Sequence, residues 1–287
     1  MLGMFRSKPM LTNEGSDFQL AVFSWLLKHF GGKDFYTDAV LVLPTQDFFP
    51  SKVSSDDEAA ITTFNAVKKY AGLEEWPCLL KKQEEDVDVR IAPTMILQNA
   101  PHNPLGTFQA TSSDNVVITY NPSIVRNPTQ LVATYAHELA HYLTGSANEV
   151  PPGGWDNWEF ATDIAATFLG FGIFMANSAS NFQQYSGVDG QGWTHSRNGY
   201  LSIAEHIYAL AIFLALKDIP VQSAIPHLKP NLKKLLKKSV SELDNSLLIK
   251  KLKLVEYQPI ATTQIQVRPD ELSISTSLQL STEVHNE

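Results

Sequence analysis

Between Trp158 and Ser178 the chain reads WEFATDIAATFLGFGIFMANS, apolar on nearly every side of a helix yet carrying two carboxylates, Glu159 and Asp163, near its start. A helix with no polar face has no place on a surface. It must lie at the centre of a core and be wrapped by other elements. Buried carboxylates are costly unless they are paired or bound to a metal. The spacing of four sets both acids on one side of that central helix, so the fold has to supply them with partners.

The nearest source of partners is the stretch TYAHELAHYLTG, Thr134 to Gly145. It has a helical start in Asn127 as cap, Pro128 at the first helical position and Gln130 where a capping box would place it, and Gly145 marks its end. Leu131, Val132, Tyr135, Leu139 and Leu143 line one side, while His137 and His141 fall on another. Histidines at i and i+4 have Cβ atoms about 5–6 Å apart, so both rings can reach one zinc ion at about 2.0–2.1 Å. Glu138, rotated by about 100° around the helix, can lean over the ion without ligating it and take a proton from water. H-E-x-x-H is the minimal sequence for that arrangement. A catalytic zinc needs a third protein donor. Glu159 is the first candidate for it, with Asp163 placed to accept the second ring N–H of a zinc-bound histidine or, alternatively, to ligate in its stead.

His137-Glu138-Leu139-Ala140-His141 followed by Glu159-Phe160-Ala161-Thr162-Asp163 resembles the HExxH and ExxxD pair of gluzincin-type zinc metallopeptidases. It is also similar to a bacterial zincin-like group in which such a pair leads into a Gly/Phe-rich helix like Phe168-Leu169-Gly170-Phe171-Gly172. The resemblance covers Leu105 to Ala179. It implies His137, His141 and Glu159 as zinc ligands, Glu138 as general base, Asp163 as partner of a ligating histidine, and Zn2+ as cofactor. The first hundred residues and the C-terminal third match no peptidase subfamily, and the glycine-rich amino-terminus recognition motif of the large aminopeptidases is missing.

The expected fold class is α+β and zincin-like: an antiparallel or mixed sheet, an active-site helix and a mainly helical C-terminal part. Three regions are expected. Residues 1–100 form an N-terminal α/β region, with a helix over Asp17 to Phe30, a β-type run Ala39 to Leu43 and a helix over Asp56 to Ala71. Residues 101–257 form the catalytic core. Strand signals run from Ile91 to Tyr120, with a hairpin joining Leu105–Gln109 to Val116–Tyr120 through Ser112 to Asn115. A helix from Leu201 to Lys217 opens on Ser202 and Glu205, spaced as a capping box. Residues 258–287, rich in Thr, Ser and Gln, form an extended or flexible tail.

The formal charge of -8 over 287 residues argues against a nucleic-acid partner, because neutralising phosphates takes clustered Lys and Arg. The one basic run, Lys229 to Lys238, carries Leu232, Leu235 and Leu236 at helical spacing and is expected as a solvated amphipathic face. Cys78 is the only cysteine, which excludes an intrachain disulfide and a thiolate zinc site. The N-terminus lacks the apolar core of a secretion signal, and the most apolar runs are short and interrupted for a bilayer span. A cytoplasmic protein with no membrane partner is the expectation.

The expected function is zinc-dependent peptide-bond hydrolysis on a peptide or protein substrate. Zinc lowers the pKa of bound water from about 15.7 towards about 7, and Glu138 accepts its proton and passes it to the leaving amine. A tetrahedral oxyanion needs a further donor, which His195, Arg197 or Tyr200 in the Gly192 to Tyr200 segment can provide. An extended peptide would lie along an edge strand, Leu105–Gln109 or Val116–Tyr120. Trp155 and Trp158 flank the helix start as pocket wall or core contacts. Two alternatives stand beside this: a catalytically silent zinc-containing binding or regulatory protein, suggested by the short His141-to-Glu159 linker, and a metal-free helical interaction module.

Overall fold

The computed structural model describes residues 8–49, 53–84, 104–112, 115–185, 200–244 and 246–259. In chain order these form α1 (Asn13–Phe30), α2 (Asp56–Tyr70), β1 (Leu79–Lys82), β2 (Gly106–Ser112), β3 (Asn115–Tyr120), α3 (Pro128–Gly145), α4 (Trp158–Ala166), α5 (Gly172–Tyr185), α6 (Ile203–Leu216), α7 (Pro230–Asp244) and α8 (Leu248–Leu252). The result is a mixed α/β molecule, mostly helical, with one small mixed sheet.

The sheet has the order β1-β3-β2. β2 and β3 pair antiparallel, Phe108 opposite Ile118, as the hairpin reading expects, while the turn at 113–114 lies outside the described residues. β1 joins β3 in parallel, Leu79 opposite Val117. Sequence reasoning missed it because LLKK is short and exposed, with no alternation to betray a strand. The part of the Ile91-to-Tyr120 strand reading that precedes 104 lies outside the described residues.

β3 turns Val116, Ile118 and Tyr120 inward and α3 packs on that face. Tyr135 of α3 stacks edge-on against Tyr120 and against Phe64 of α2, with ring centres 6.0 and 5.2 Å apart. On the other side α3 meets α4 and α5. Every residue of α3 from Gln130 to Gly145 is therefore buried, not one side alone. Its start is as expected: the Asn127 side chain accepts the Gln130 N–H at 3.3 Å, and Pro128 occupies the first turn.

Two elements differ from expectation, and they explain each other. The single helix expected from Trp158 to Ser178 is broken into α4 and α5 by a widened turn over Thr167–Phe171, where Gly170 adopts φ 102°. The run Ala39 to Leu43 enters no strand ladder among the described residues; it lies extended against this break. The Val42 N–H donates to the Gly170 carbonyl at 3.0 Å, and a Cβ on Gly170 would lie 2.1 Å from the Val40 carbonyl oxygen. The helix opens a backbone acceptor, and the extended segment uses it. By length and hydropathy Trp155–Ala179 would suffice to cross a membrane, contrary to the sequence expectation, but 89% of its most apolar window is buried inside the protein. It is the core helix that its composition demands.

α6 begins with the full capping box, Glu205 N–H to Ser202 Oγ at 3.4 Å and Ser202 N–H to Glu205 Oε2 at 2.7 Å. α7 buries Leu232 and Leu236 and keeps its lysines outside, the solvated face read from the sequence. One hydrophobic cluster runs from Phe18 and Phe23 of α1 through Leu139 and Phe171 to Leu236 and Leu252. Residues 260–287, most of the expected tail, lie outside the described set.

Candidate metal centre

α3 and α4 carry the site. Their contact brings the spacing-of-four histidines of one helix against the spacing-of-four acids of the other. His137 Nε2 and His141 Nε2 are 3.1 Å apart, and Glu159 Oε2 lies 3.3 Å from each. Donors bound tetrahedrally to one ion at about 2.0–2.2 Å stand about 3.3–3.6 Å apart, so the triangle already has nearly the right edge. These three residues form a group that can hold a metal ion.

The opposite ring nitrogens are also engaged. His137 Nδ1–H donates to Asp163 Oδ1 at 2.9 Å, and His141 Nδ1–H to Thr162 Oγ1 at 3.3 Å, in the tautomers that leave both Nε2 lone pairs facing Glu159. Asp163 thus meets the outer nitrogen of His137, while Glu159 meets the inner nitrogens of both rings. Asp163 is fully enclosed, whereas the Glu159 side chain is 34% exposed and forms the solvent side of the cluster. The second Asp163 oxygen accepts the Leu201 N–H at 3.0 Å and faces His206 Nε2 at 3.6 Å.

Burial pulls His137 towards the neutral form, but hydrogen bonds to Asp163 and Glu159 outweigh it and raise the ring well above its usual value. Burial also raises Glu159, yet the His141 charge and hydrogen bonds to both rings hold it well below the usual carboxylate range. These opposed shifts belong to a strongly electrostatic cluster, in which a divalent ion would take the place of protons. Burial pushes Glu138 above its ordinary range, offset in part by His137 and His141. Burial lowers His206.

Aromatic rings wall the histidines. Trp158 stands edge-on to His141 with ring centres 4.8 Å apart, and its Nε1–H donates to Thr144 Oγ1 at 2.8 Å, so it is a core contact that also fixes the His141 ring. Trp155 packs on Trp158. Phe108 of β2 lies parallel to His141 at 6.0 Å. Tyr200 approaches His137 with ring centres 5.6 Å apart, and burial followed by the Glu159, Glu138 and Asp163 carboxylates keeps its hydroxyl protonated well beyond the usual range. His195 and Arg197, the other expected donors, lie outside the described residues.

Of the two expected peptide-binding strands, β3 is central and paired on both sides, so it has no edge to offer; β2 is paired on one side only among the described residues. Sequence reasoning missed three contributors: His206, Thr162 and Gly106. Thr162 had a signal, since it faces His141 from the same helix turn as Glu159 and Asp163. Gly106 lets Glu138 approach β2, and His206 arrives from a helix far along the chain; neither is marked by local spacing.

No family model matches the chain, and no match is found among curated proteins or solved structures.

Proposed function

We propose that the protein is a zinc-dependent peptidase in which His137, His141 and Glu159 hold the ion and Glu138 is the general base. The observation that carries this is the triangle of three donor atoms 3.1–3.3 Å apart, backed by Asp163 and Thr162 on the outer ring nitrogens. Two neutral imidazoles and one carboxylate suit zinc, and three protein donors leave a fourth position open, as in catalytic sites. The ion supplies an acidified water and Lewis acidity towards a carbonyl.

The chain's own residues do the rest. Glu138, whose pKa burial moves towards neutrality, takes the proton of the attacking water and returns it to the leaving amine. Tyr200, kept protonated, donates to the oxyanion of the scissile carbonyl. An extended peptide adds to the side of β2 that has no strand partner among the described residues, where the strand passes Phe108 beside His141 and Gly106 beside Glu138.

The burial of Glu138, 6% exposed, favours a second reading in which the ion is structural and the protein binds without cleaving. Glu138→Gln separates the two. Elemental analysis combined with a peptide-library cleavage screen is expected to find one zinc per chain in both proteins, and cleavage at least about 100-fold slower in the variant. Equal zinc with no cleavage by the unmodified protein would favour the binding role. No zinc in the unmodified protein, with His141→Ala as the control, would end both.

A further inference from the structure

α6 is among the most apolar helices of the molecule, with Ile207, Leu210, Ala211, Ile212, Phe213 and Leu214 all buried. In its first turns it nevertheless carries His206, 1% exposed. The His206 Nδ1 is buried and has no hydrogen-bond partner among the described residues. A buried polar atom left unpaired costs about 1–3 kcal/mol, and a leucine would pack at that position without the cost. What the imidazole gains is an approach to Asp163: its Nε2 lies 3.6 Å from Oδ2, the oxygen that also receives the Leu201 N–H at 3.0 Å. The other oxygen of the same carboxylate receives His137 Nδ1–H at 2.9 Å.

We propose that His206 is a positioning residue of the metal centre, acting through Asp163 on His137. With Oδ1 held by His137 and Oδ2 by the Leu201 N–H alone, the carboxylate can still rock about its last bond, and the ring that depends on it moves with it. His206 Nε2, 3.6 Å from Oδ2, limits that motion by an electrostatic and packing contact from α6, longer than a full hydrogen bond, so that His137 presents its Nε2 to the ion at one angle. The chain His206, Asp163, His137 thereby couples the metal centre to a helix that contributes no ligand. Partners of this kind behind a metal ligand typically govern affinity by 10–100-fold. The inference rests on the metal assignment of His137, His141 and Glu159.

The test compares the unmodified protein with His206→Leu and His206→Gln, each stripped of metal and titrated with zinc against a chromophoric chelator, then with cobalt to record its visible absorption bands. His206→Leu is expected to bind zinc about 10–100-fold more weakly and to shift the cobalt bands, while its metal-free thermal midpoint stays level or rises. His206→Gln, whose amide N–H can reach the carboxylate, is expected to recover most of the affinity. If His206→Leu does not fold, His206→Phe, closer in shape to imidazole, carries the same expectation. A folded Leu or Phe variant with unchanged zinc affinity and an unchanged cobalt spectrum would overturn the positioning role and leave the metal centre standing. Absence of zinc binding by the unmodified protein would overturn both.

Discussion

At Gly106 a missing side chain shapes the site. It lies on the same face of the sheet as Phe108, turned towards α3, and a Cβ there would come within 2.6 Å of Thr134 Cγ2, 2.9 Å of Glu138 Oε1 and 3.0 Å of the Thr119 carbonyl oxygen. β2 can therefore lie close to α3 only because this position is glycine. Gly106→Ala is expected to cost about 1–3 kcal/mol of stability through overpacking and to push Glu138 aside. Zinc stoichiometry should remain that of the unmodified protein while cleavage falls by about 100-fold, since displacements of about 1 Å at a reacting group have that effect. Turnover measured beside metal content checks it. The residues legible in advance fall into two sets, His137, Glu138 and His141 on α3 and Glu159 and Asp163 on α4, each related by helical periodicity within its own element. Gly106 borders Glu138 and His206 borders Asp163 from elements brought in by tertiary packing, and nothing in their neighbours signals it.

Among the elements, the hairpin and the caps of α3 and α6 could be read because each depends on a few adjacent residues. The break between α4 and α5 could not, since the apolar pattern continues through it and hydropathy alone favours one long helix. Its marker was present: glycine in a helix interior is unfavourable, and Gly170 persists because its φ of 102° and the nearby Val40 carbonyl both exclude a side chain. Gly170→Ala is expected to destabilise the protein by at least about 2 kcal/mol, because a strained backbone of this kind alone costs about 1–3 kcal/mol and the clash with Val40 adds to it. The thermal midpoint should drop by at least about 4 °C. Substituting Gly72, where a Cβ meets nothing within 4 Å although φ is 71°, should cost less and serves as the comparison in the same thermal melt.

Across the molecule, α1 is tied to the loop that delivers α4. Trp25 Nε1–H donates to the Glu149 carbonyl at 3.2 Å, Lys28 Nζ reaches Glu149 Oε1 at 2.5 Å, and His29 Nε2 stands 3.5 Å from Glu149 Oε2. His29 is 3% exposed, and burial lowers its pKa, with Glu149 opposing and Lys28 assisting. The unfolded chain takes up this proton near pH 6.5, whereas the folded chain resists it until a lower pH. The stability associated with neutral His29 is therefore complete above about pH 6.5 and is lost as the pH falls below it. Urea unfolding at pH 7.5, 6.5 and 5.5 should show a steeper acid loss for the unmodified protein than for His29→Gln, by up to about 1.4 kcal/mol per pH unit. Parallel curves would show that the ring is not held neutral.

The three donors that could hold a metal ion lie close together in the chain, between His137 and Glu159, while the helix that supplies His206 follows later. A protein growing from its N-terminus exposes all three donors while α6 is still to be made. An ion caught at that stage would stand on the solvent side, beside Glu159, and the helix arriving behind Asp163 would tighten a grip already closed on it rather than admit it.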